Sequence, residues 1–485
     1  MSSPAPGPLS EDEKTLHRLG YKQELSRRMS GFSNYAISLS IICILAGGIT
    51  SFQVGFCSVG GASIGIGWPV ACLFSLIVAA AMAQVASAFP TAGGLYHWAS
   101  ILGGRGCGWV TAWFNLAGLV TVLAAINAGM WDFVVGAMQL DLGERASLIK
   151  ALGVTAITFS QALFNHRGIR VTTLLTDFSG WWILLVTVVL TAVMLGNVHE
   201  FHFERLITFT NYSGLPTAAP VFPRAENLVW IFALGLMLPA YTITGFDASA
   251  HTSEETINAA QNVPQGIVRS VLVSGIFGWL MLCAIVLAIP DMNAAAAQGA
   301  NVFYWTVNSV LPPGLAKLLY AGIGLAQYFC GLATLTSASR MAYAFARDGG
   351  LPAPLRRVSQ TARTPAVAIW VMASVAVLFM IAVPYTTIAA VCVIFLYLSY
   401  VLPSVAGVFA HGRTWTRMGP WQLGRWYRPL AIISALFCAF LIVVGMQPPN
   451  EQAAWIVGGA LALLAVVWFA FERKRFRGPP AMNDQ

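Results

Sequence analysis

The chain has 485 residues, of which 57% are hydrophobic and only 9% are charged. Soluble domains carry about 25% charged residues, so the composition excludes an ordinary soluble enzyme or binding domain and indicates a polytopic membrane protein. The formal net charge of +8 would suit nucleic acid, but the sequence has no basic face with interleaved aromatic residues. We therefore expect no nucleic-acid partner.

The cysteines and histidines argue against a disulfide framework, a metal site and a cofactor. The eight cysteines lie within or close to apolar segments and form no CxxC pair, which predicts packed, reduced thiols. His199 and His202 stand three residues apart in a polar loop, where a third ligand is missing, so a surface role is favoured. The chain also lacks a Walker sequence, and we expect neither an enzyme nor an ATP-driven machine.

Apolar segments predict twelve membrane-spanning helices, each of about 20 residues. Residues 1–33 precede them as a polar, basic tail that is unlike a cleavable signal peptide. Residues 472–485 form a second polar tail. The predicted spans are 34–58, 66–88, 109–138, 149–165, 171–196, 227–250, 267–290, 315–345, 366–383, 386–410, 428–446 and 453–471.

The distribution of basic residues supports this count and predicts an orientation. With a cytoplasmic N-terminus, 22 of the 27 Lys and Arg residues fall in inner loops and tails, and only five fall outside. Cytoplasmic loops carry an excess of Lys and Arg. The pattern therefore predicts a multi-pass protein of the plasma or inner membrane with both termini in the cytoplasm, and it explains the net charge by topology and contact with anionic lipid.

The first predicted span is interrupted in its middle. Gly47 and Gly48 stand next to each other there, and Thr50 and Ser51 follow. A glycine inside a helix costs about 1 kcal/mol relative to alanine, so adjacent glycines favour local unwinding. A close helix crossing is the alternative interpretation, because small residues also serve packing between membrane helices.

The sixth predicted span combines helix breakers with a carboxylate. Pro239 removes a backbone donor, Gly245 loosens the chain six residues later, and Asp247 follows. A carboxylate at membrane depth costs roughly 2.5–3.5 kcal/mol on insertion scales, and a broken helix with polar groups near the midplane is typical of a transporter binding site. A kinked helix with a buried, protonated Asp247 is the alternative. The polar residues between the two breakers are Tyr241, Thr242 and Thr244.

The two interrupted spans occupy matching positions in two halves of five spans. Such a pair indicates an inverted repeat whose site lies at the interface of the halves. The sequence therefore predicts a transport core over 34–410, with repeats at 34–196 and 227–410. Two additional helices would cover 428–471, although the halves show no obvious residue-level identity.

Three stretches resemble the amino acid–polyamine–organocation superfamily of secondary transporters. They are Phe89-Pro-Thr-Ala-Gly-Gly-Leu-Tyr-His-Trp98, Thr244-Gly-Phe-Asp-Ala-Ser-Ala-His-Thr-Ser-Glu-Glu-Thr256 and Ser339-Arg-Met-Ala-Tyr-Ala-Phe-Ala-Arg-Asp-Gly-Gly-Leu-Pro352. Each resembles that superfamily's segment at the same position in the order of spans, and together they reach over most of residues 34–410. The Gly-Gly-Ile-Thr-Ser form of span one is similar to the branch of GABA, choline and related amine permeases.

This resemblance implies the all-α LeuT-like fold, a 5+5 inverted repeat with two C-terminal helices added. It also implies a substrate held between spans one and six and flanked by spans three, eight and ten. Tyr241 falls where relatives place a gating aromatic, and Asp247 where they place an acidic residue, the candidate coupling group. The implied substrate-binding residues are Gly47, Gly48, Ile49, Thr50, Leu119, Leu123, Tyr241, Thr242, Thr244 and Thr334.

The chemistry of these positions suits a zwitterion. Freed N–H groups at the start of a half-helix attract a carboxylate, whereas unwound carbonyls and the ring of Tyr241 attract an ammonium. We expect an amino acid or small amine such as GABA. Choline, a polyamine, or a non-transporting nutrient sensor of the same fold are the alternatives.

Proton coupling or exchange is favoured over sodium symport. Thr334, Thr336 and Ser337 keep a sodium site possible, but no carboxylate accompanies them in span eight, and these hydroxyls can also bond their own helix. Asp247 is the candidate proton carrier, because burial favours the protonated carboxyl.

The remaining polar residues of the spans have structural roles in this interpretation. Asn115 and Asn127 would bond between helices, Asp132 would lie at the membrane interface, and Asp177 could act as a relay. The Glu254–Glu255 pair would bind inner arginines such as Arg340 or Arg347.

Overall fold

The computed structural model describes residues 9–480, and over these residues the chain is helical with only two isolated β-bridges. Apolar residues dominate the helices. The helices of the first half are α1 (Glu11–Arg18), α2 (Gly31–Ile42), α3 (Gly47–Thr50), α4 (Phe52–Val59), α5 (Trp68–Ala88), α6 (Leu95–Gly103), α7 (Arg105–Met138), α8 (Ala146–His166) and α9 (Ile169–Gly196). Those of the second half are α10 (Leu228–Gly235), α11 (Met237–Thr242), α12 (Ala248–His251), α13 (Ala259–Ala288), α14 (Met292–Ala296), α15 (Val302–Val310), α16 (Pro313–Arg347), α17 (Ala366–Ala382), α18 (Tyr385–Ala410), α19 (Tyr427–Gly445), α20 (Glu451–Val467) and α21 (Arg473–Arg475).

Ten helical stretches in the described chain are long and apolar enough to cross a membrane. The predicted sixth and ninth spans correspond to shorter apolar helices, 228–242 and 366–382. A polytopic, all-helical membrane protein is therefore confirmed. The short helices α6, α14 and α15 were not predicted, and α13 begins at Ala259, eight residues before the predicted span.

The helices divide into a buried centre and an exposed periphery. In the most apolar 18-residue part of α7, 83% is buried inside the protein, and the corresponding share in α16 is 78%. Only 6% is buried in the stretch that contains α20. Helices α7 and α16 therefore form the centre of the bundle, α18 packs along α7, and α20 lies at the edge.

Both ends of the described chain lie on one face of the bundle, which we call the terminal face. The backbone amides of Arg28 and Met29 donate to the carbonyl of Glu255 at 2.9 and 2.8 Å. At the other end of the chain, Arg105 donates to the carbonyl of Phe476 at 3.4 Å. The ends of the helices on the other side of the bundle form the opposite face.

Residues 10–30, the N-terminal segment, begin with a capped helix. Ser10 and Glu13 form a capping box at the start of α1. The carboxylate of Asp12 then accepts from the amides of Asn258 and Ala259 at 2.8 and 2.9 Å, so it caps the first turn of α13. The segment is thus fastened to the start of α13.

Candidate functional site

The first interruption lies at 43–46, one turn earlier than the glycines predicted. Helix α2 ends at Ile42, Cys43 adopts a φ of 22°, and α3 begins at Gly47. Gly47–Thr50 is therefore the helical turn after the break rather than the break itself. The amides of Ile44 and Leu45 have no backbone acceptor within the described residues.

Tight packing against the other broken helix explains why Gly47 is nevertheless required at its position. A Cβ added to Gly47 would lie 2.8 Å from the Cα of Thr242. At Gly48 the nearest atom would be the Met281 methyl at 3.7 Å, an ordinary contact. Gly47 thus lets the two broken helices touch, whereas Gly48 faces α13.

The second interruption runs from Ile243 to Asp247, between α11 and α12. Pro239 lies in the first turn of α11, where a backbone N–H would have no acceptor within the helix, so proline costs no hydrogen bond there. Gly245 has a φ of +81°, and a Cβ there would lie 2.3 Å from Ile41. The turn therefore needs glycine for both conformation and space.

Asp247 is fully buried, and its carboxyl group lies within hydrogen-bond distance of three side chains. Tyr400 Oη donates to Oδ1 at 2.7 Å. Asn115 Nδ2 donates to Oδ2 at 3.1 Å, and His251 Nε2 lies 3.2 Å from the same oxygen. The carboxylate thus joins α7, α12 and α18 at the second break.

A small central cavity of about 20 Å³ lies where the two broken helices meet. A single water occupies about 10–15 Å³ on this measure, so the cavity must enlarge before it holds an amino acid. Of the predicted residues, Gly47, Tyr241 and Thr244 line it. Its other lining residues are Ile41, Ile42, Ala46, Val122, Ile126 and Cys330.

The predicted leucines of α7 are displaced from this cavity. Leu119 and Leu123 are fully buried, but Val122 and Ile126 occupy the lining. Val122 and Ile126 each follow the predicted residues by three positions, which places them about 60° away around the helix. The predicted depth in the membrane could not distinguish these neighbouring faces of α7, because all four residues are apolar.

Several predicted hydroxyls are satisfied by their own helices. Thr50 donates to the carbonyl of Ala46 at 2.8 Å. Thr242 and Thr334 likewise donate to Leu238 and Cys330 at 2.8 and 2.9 Å. Ile49 is buried nearby. These bonds fit the alternative that such hydroxyls bond backbone, so in this conformation their protons are not free to bind a ligand.

A wider cavity of about 330 Å³, the vestibule, opens on the opposite face. Thr50 and Gln53 line it, together with Tyr385 and residues of the loops 219–222 and 447–450. Tyr241 lines both this vestibule and the central cavity. The predicted gating residue therefore lies between the two spaces.

The terminal face is closed by buried ion pairs. Arg340 binds Glu255 through two hydrogen bonds of 2.9 and 3.1 Å, and Arg347 binds Glu254 at 2.8 and 3.0 Å. The expected pairing of this acidic doublet is therefore confirmed. Burial acts to raise the pKa of Glu254, but the charge and hydrogen bonds of Arg347 outweigh it and hold that pKa below its usual range.

The N-terminal segment covers this closed face. The Tyr21 ring stacks on His97 and lies under the Arg347 guanidinium, 3.9 Å from its carbon. Its hydroxyl donates to Asp348 at 2.8 Å. Arg27 donates to the carbonyl of Ser253 at 3.0 Å. The N-terminal segment thus covers the chain that follows the second break at the terminal face.

Asn127 and Asp132 make the structural contacts expected from sequence, whereas Asp177 was a candidate relay. Asn127 donates to Thr158 and Gln161 of α8 at 2.9 Å each. Asp132 pairs with Lys150 near the opposite face, and Asp177 accepts from Ser33 at 3.0 Å. All eight cysteines are free.

Sequence reasoning missed three residues of the site: Tyr400, His251 and Tyr385. His251 stands four residues after Asp247 on the same helix face, a spacing that could have identified it. Tyr400 and Tyr385 lie more than 130 residues along the chain from the breaks, and only tertiary packing brings them there.

Comparisons with known proteins identify the family. A family profile described as amino acid permease matches residues 29–471. Amino-acid permease BAT1 of Arabidopsis thaliana is 31% identical, over 96% of this chain and 95% of its own length. Its homolog in Oryza sativa is also 31% identical, over 96% and 94%. The GABA-specific permease of Saccharomyces cerevisiae is 27% identical, over 97% and 86%. The chain, with its two broken helices around a buried carboxylate, belongs to the amino acid permease family of the amino acid–polyamine–organocation superfamily.

Proposed function

We propose that the protein moves a zwitterionic amino acid or small amine such as GABA across the cell membrane by alternating access, coupled to protons. The observation that carries this proposal is the meeting of two broken helices at a cavity beside a buried, hydrogen-bonded carboxylate. Membership of a permease family favours a carrier over an enzyme. The yeast relative named as GABA-specific supports the choice of GABA as first test compound.

The fold proposal is a twelve-span, LeuT-like core with repeats at 34–196 and 227–410 and two further helices over 428–471. The breaks support it, because they fall in the first span of each half, at 43–46 and 243–247. We further propose that the terminal face is cytoplasmic. The excess of Lys and Arg in loops on that side supports this orientation.

The substrate carboxylate would bind freed amides of the first break, and its ammonium would bind oxygen atoms of the second. One feature supports this polarity. The amides of Ile44 and Leu45 lack backbone acceptors among the described residues.

Asp247 is the carboxylate closest in sequence and structure to the second break, and it is our candidate proton carrier. A cationic choline or polyamine would favour more acidic residues around the cavity, whose lining is mostly apolar. The alternative of a nutrient sensor with this fold predicts binding without flux.

The test uses purified protein in proteoliposomes. Labelled GABA, alanine, choline and putrescine are offered under an imposed proton gradient and then under a sodium gradient. We expect saturable, proton-driven accumulation of GABA or alanine, and its loss in Asp247→Asn. Asp132→Asn, which alters an exposed carboxylate at the opposite face, serves as the matched control.

Four results would contradict the proposal. Binding without flux would favour the sensor, and uptake of choline or putrescine alone would favour a cation carrier. Sodium-driven accumulation would replace the proton as coupling ion. Proton-driven accumulation by Asp247→Asn would remove Asp247 from the coupling step.

A further inference from the structure

His251 is fully buried and stands four residues after Asp247, at the end of α12. Each of its ring nitrogens faces an oxygen. Nε2 lies 3.2 Å from Oδ2 of Asp247, and Nδ1 lies 3.2 Å from the carbonyl oxygen of Ala92. The backbone carbonyl can only accept a hydrogen bond, so Nδ1 must carry a proton to make this contact.

This arrangement determines how many protons Asp247 and His251 hold together, and we call these two residues the pair. A neutral imidazole has a single N–H, and here Nδ1 uses it toward Ala92. The contact between Nε2 and Asp247 then requires a second proton, located on either the ring or the carboxyl. In both forms the pair is electrically neutral, which suits a site buried at membrane depth.

Loss of that proton disturbs the same contacts. The remaining ring proton can bind Asp247 or Ala92 but not both, and the other nitrogen then points a lone pair at an oxygen. The pair also becomes a net anion in a buried site. Release is therefore unfavourable while the terminal face is closed, and it becomes favourable when water reaches the pair.

One connection runs from this pair to the central cavity. Tyr400 donates to Asp247 at 2.7 Å and accepts from the amide of Gly245 at 3.0 Å. Its hydroxyl also lies 3.4 Å from Thr244 Oγ1, and Thr244 lines the central cavity. A ligand that moves the second break therefore changes the hydrogen bonds of the carboxylate.

A second connection runs to the closed terminal face. The amide of Ala92 donates to Glu254 Oε1 at 3.1 Å, and Glu254 is held by Arg347. Gly94, with a φ of +48°, leaves room for the imidazole, since a Cβ there would lie 3.1 Å from His251 Cε1. Ala92 therefore links the two groups, since its amide binds Glu254 and its carbonyl contacts His251.

We propose that the transported proton is shared by Asp247 and His251, and that His251 releases it when opening of the terminal face withdraws Ala92. This inference rests on the proton coupling proposed above and adds a second proton-binding residue to it. One proton arrives at the pair from the opposite face with substrate, and one leaves to water at the terminal face. The titratable or charged groups facing the pair are Tyr400 from α18 and Glu254 with Arg347 beyond Ala92, while His97 and Asp348 lie past Thr91.

The experiment separates coupling from transport itself. Wild type, His251→Gln and the exposed-loop control His199→Gln are reconstituted and assayed with labelled GABA and alanine. Exchange of internal for external substrate is measured without any gradient, and accumulation is measured under an imposed proton gradient. A pH-sensitive dye reports the proton uptake that accompanies substrate.

Glutamine can donate to Asp247 but cannot bind a proton, so His251→Gln should still exchange substrate, and its accumulation is judged against its own exchange rate. It should lose proton-driven accumulation and substrate-dependent proton uptake, whereas His199→Gln should retain both. Equal proton-driven accumulation by wild type and His251→Gln would overturn the inference while leaving the proposed function intact. A wild type that exchanges but never couples to protons would overturn both.

A second variant keeps the inference testable if His251→Gln fails to fold. Asp247→Asn/His251→Gln replaces the pair by two neutral amides and leaves no lone carboxylate in the buried site. This double variant should fold and exchange substrate without proton uptake. Proton-driven accumulation by the double variant would contradict the shared-proton assignment.

Discussion

The central cavity is closed toward the two faces of the protein by different kinds of contact. The terminal face is held by buried ion pairs, Arg340–Glu255 and Arg347–Glu254, with Tyr21 and Arg27 of the N-terminal segment laid across it. The opposite face has the vestibule of about 330 Å³, which is separated from the central cavity by the ring of Tyr241.

This difference indicates which motion requires more free energy. Opening the terminal face separates charges that are bound in fixed, bidentate geometry. Moving Tyr241 exchanges packing contacts in an uncharged lining, a change of rotamer for a half-buried ring. Opening the terminal face should therefore require more free energy than moving Tyr241.

Breaking the Arg340–Glu255 ion pair of the terminal face should give the largest effect on stability. Arg340→Met leaves Glu255 unpaired in a fully buried site, so we expect a loss of about 3–5 kcal/mol in unfolding free energy. Arg340→Met/Glu255→Met should recover most of this loss, because no lone charge remains. Chemical unfolding in detergent measures the difference.

The control lies on the opposite face. The Lys150–Asp132 pair is partly exposed, with 29% and 45% of the two side chains accessible. Solvent screens such pairs, so Lys150→Met should cost only about 0–1 kcal/mol. Equal losses in Arg340→Met and Lys150→Met would contradict the distinction between the faces.

The contact between the two broken helices should give an intermediate effect. Gly47→Ala places a methyl 2.8 Å from the Thr242 Cα, a backbone atom that cannot turn aside. We expect overpacking to lower the unfolding free energy by about 1–3 kcal/mol. It should also reduce the thermal stabilisation by GABA or alanine, which a thermal shift assay measures. Gly48→Ala is the matched control, because its methyl meets Met281 at 3.7 Å. Indistinguishable stabilities for these two variants would remove the close contact as the link between the breaks.

The smallest expected effect concerns pH at the terminal face. Burial acts to raise the pKa of Asp348, but hydrogen bonds and charge from His97, Arg347 and Tyr21 hold that pKa below its ordinary value. The stabilisation is thus fully present above the ordinary pKa, about 4, and is lost as pH falls through the lowered value. Tyr21→Phe should cost about 1 kcal/mol at neutral pH, and this deficit should shrink only below about pH 4.

Tyr212→Phe provides the comparison for that experiment. The Tyr212 hydroxyl donates to the neutral amide oxygen of Asn293 at 3.2 Å, and both residues lie on the opposite face. Its deficit should therefore stay constant over the same pH range. Thermal unfolding of both variants between pH 3 and 8 measures the difference, and parallel profiles would argue against Asp348 as the acceptor that matters.

The sequence by itself determined the features that depend on local composition and spacing. Long apolar segments predicted the membrane helices, because a bilayer requires about 20 apolar residues per crossing. The Glu254–Glu255 doublet was expected to bind arginines, because buried charges are rarely left unpaired. The breaker residues located both interruptions to within one helical turn.

Only the tertiary structure decided which groups meet at those interruptions. The break at 43–46, rather than at Gly47, reflects packing against Thr242, almost 200 residues away. The same holds for Tyr400 and Asn115 on the Asp247 carboxylate, and for Tyr21 at Asp348. A hydrogen bond depends on distances of a few tenths of an ångström between side chains on different helices, and no periodicity within one helix specifies such a distance.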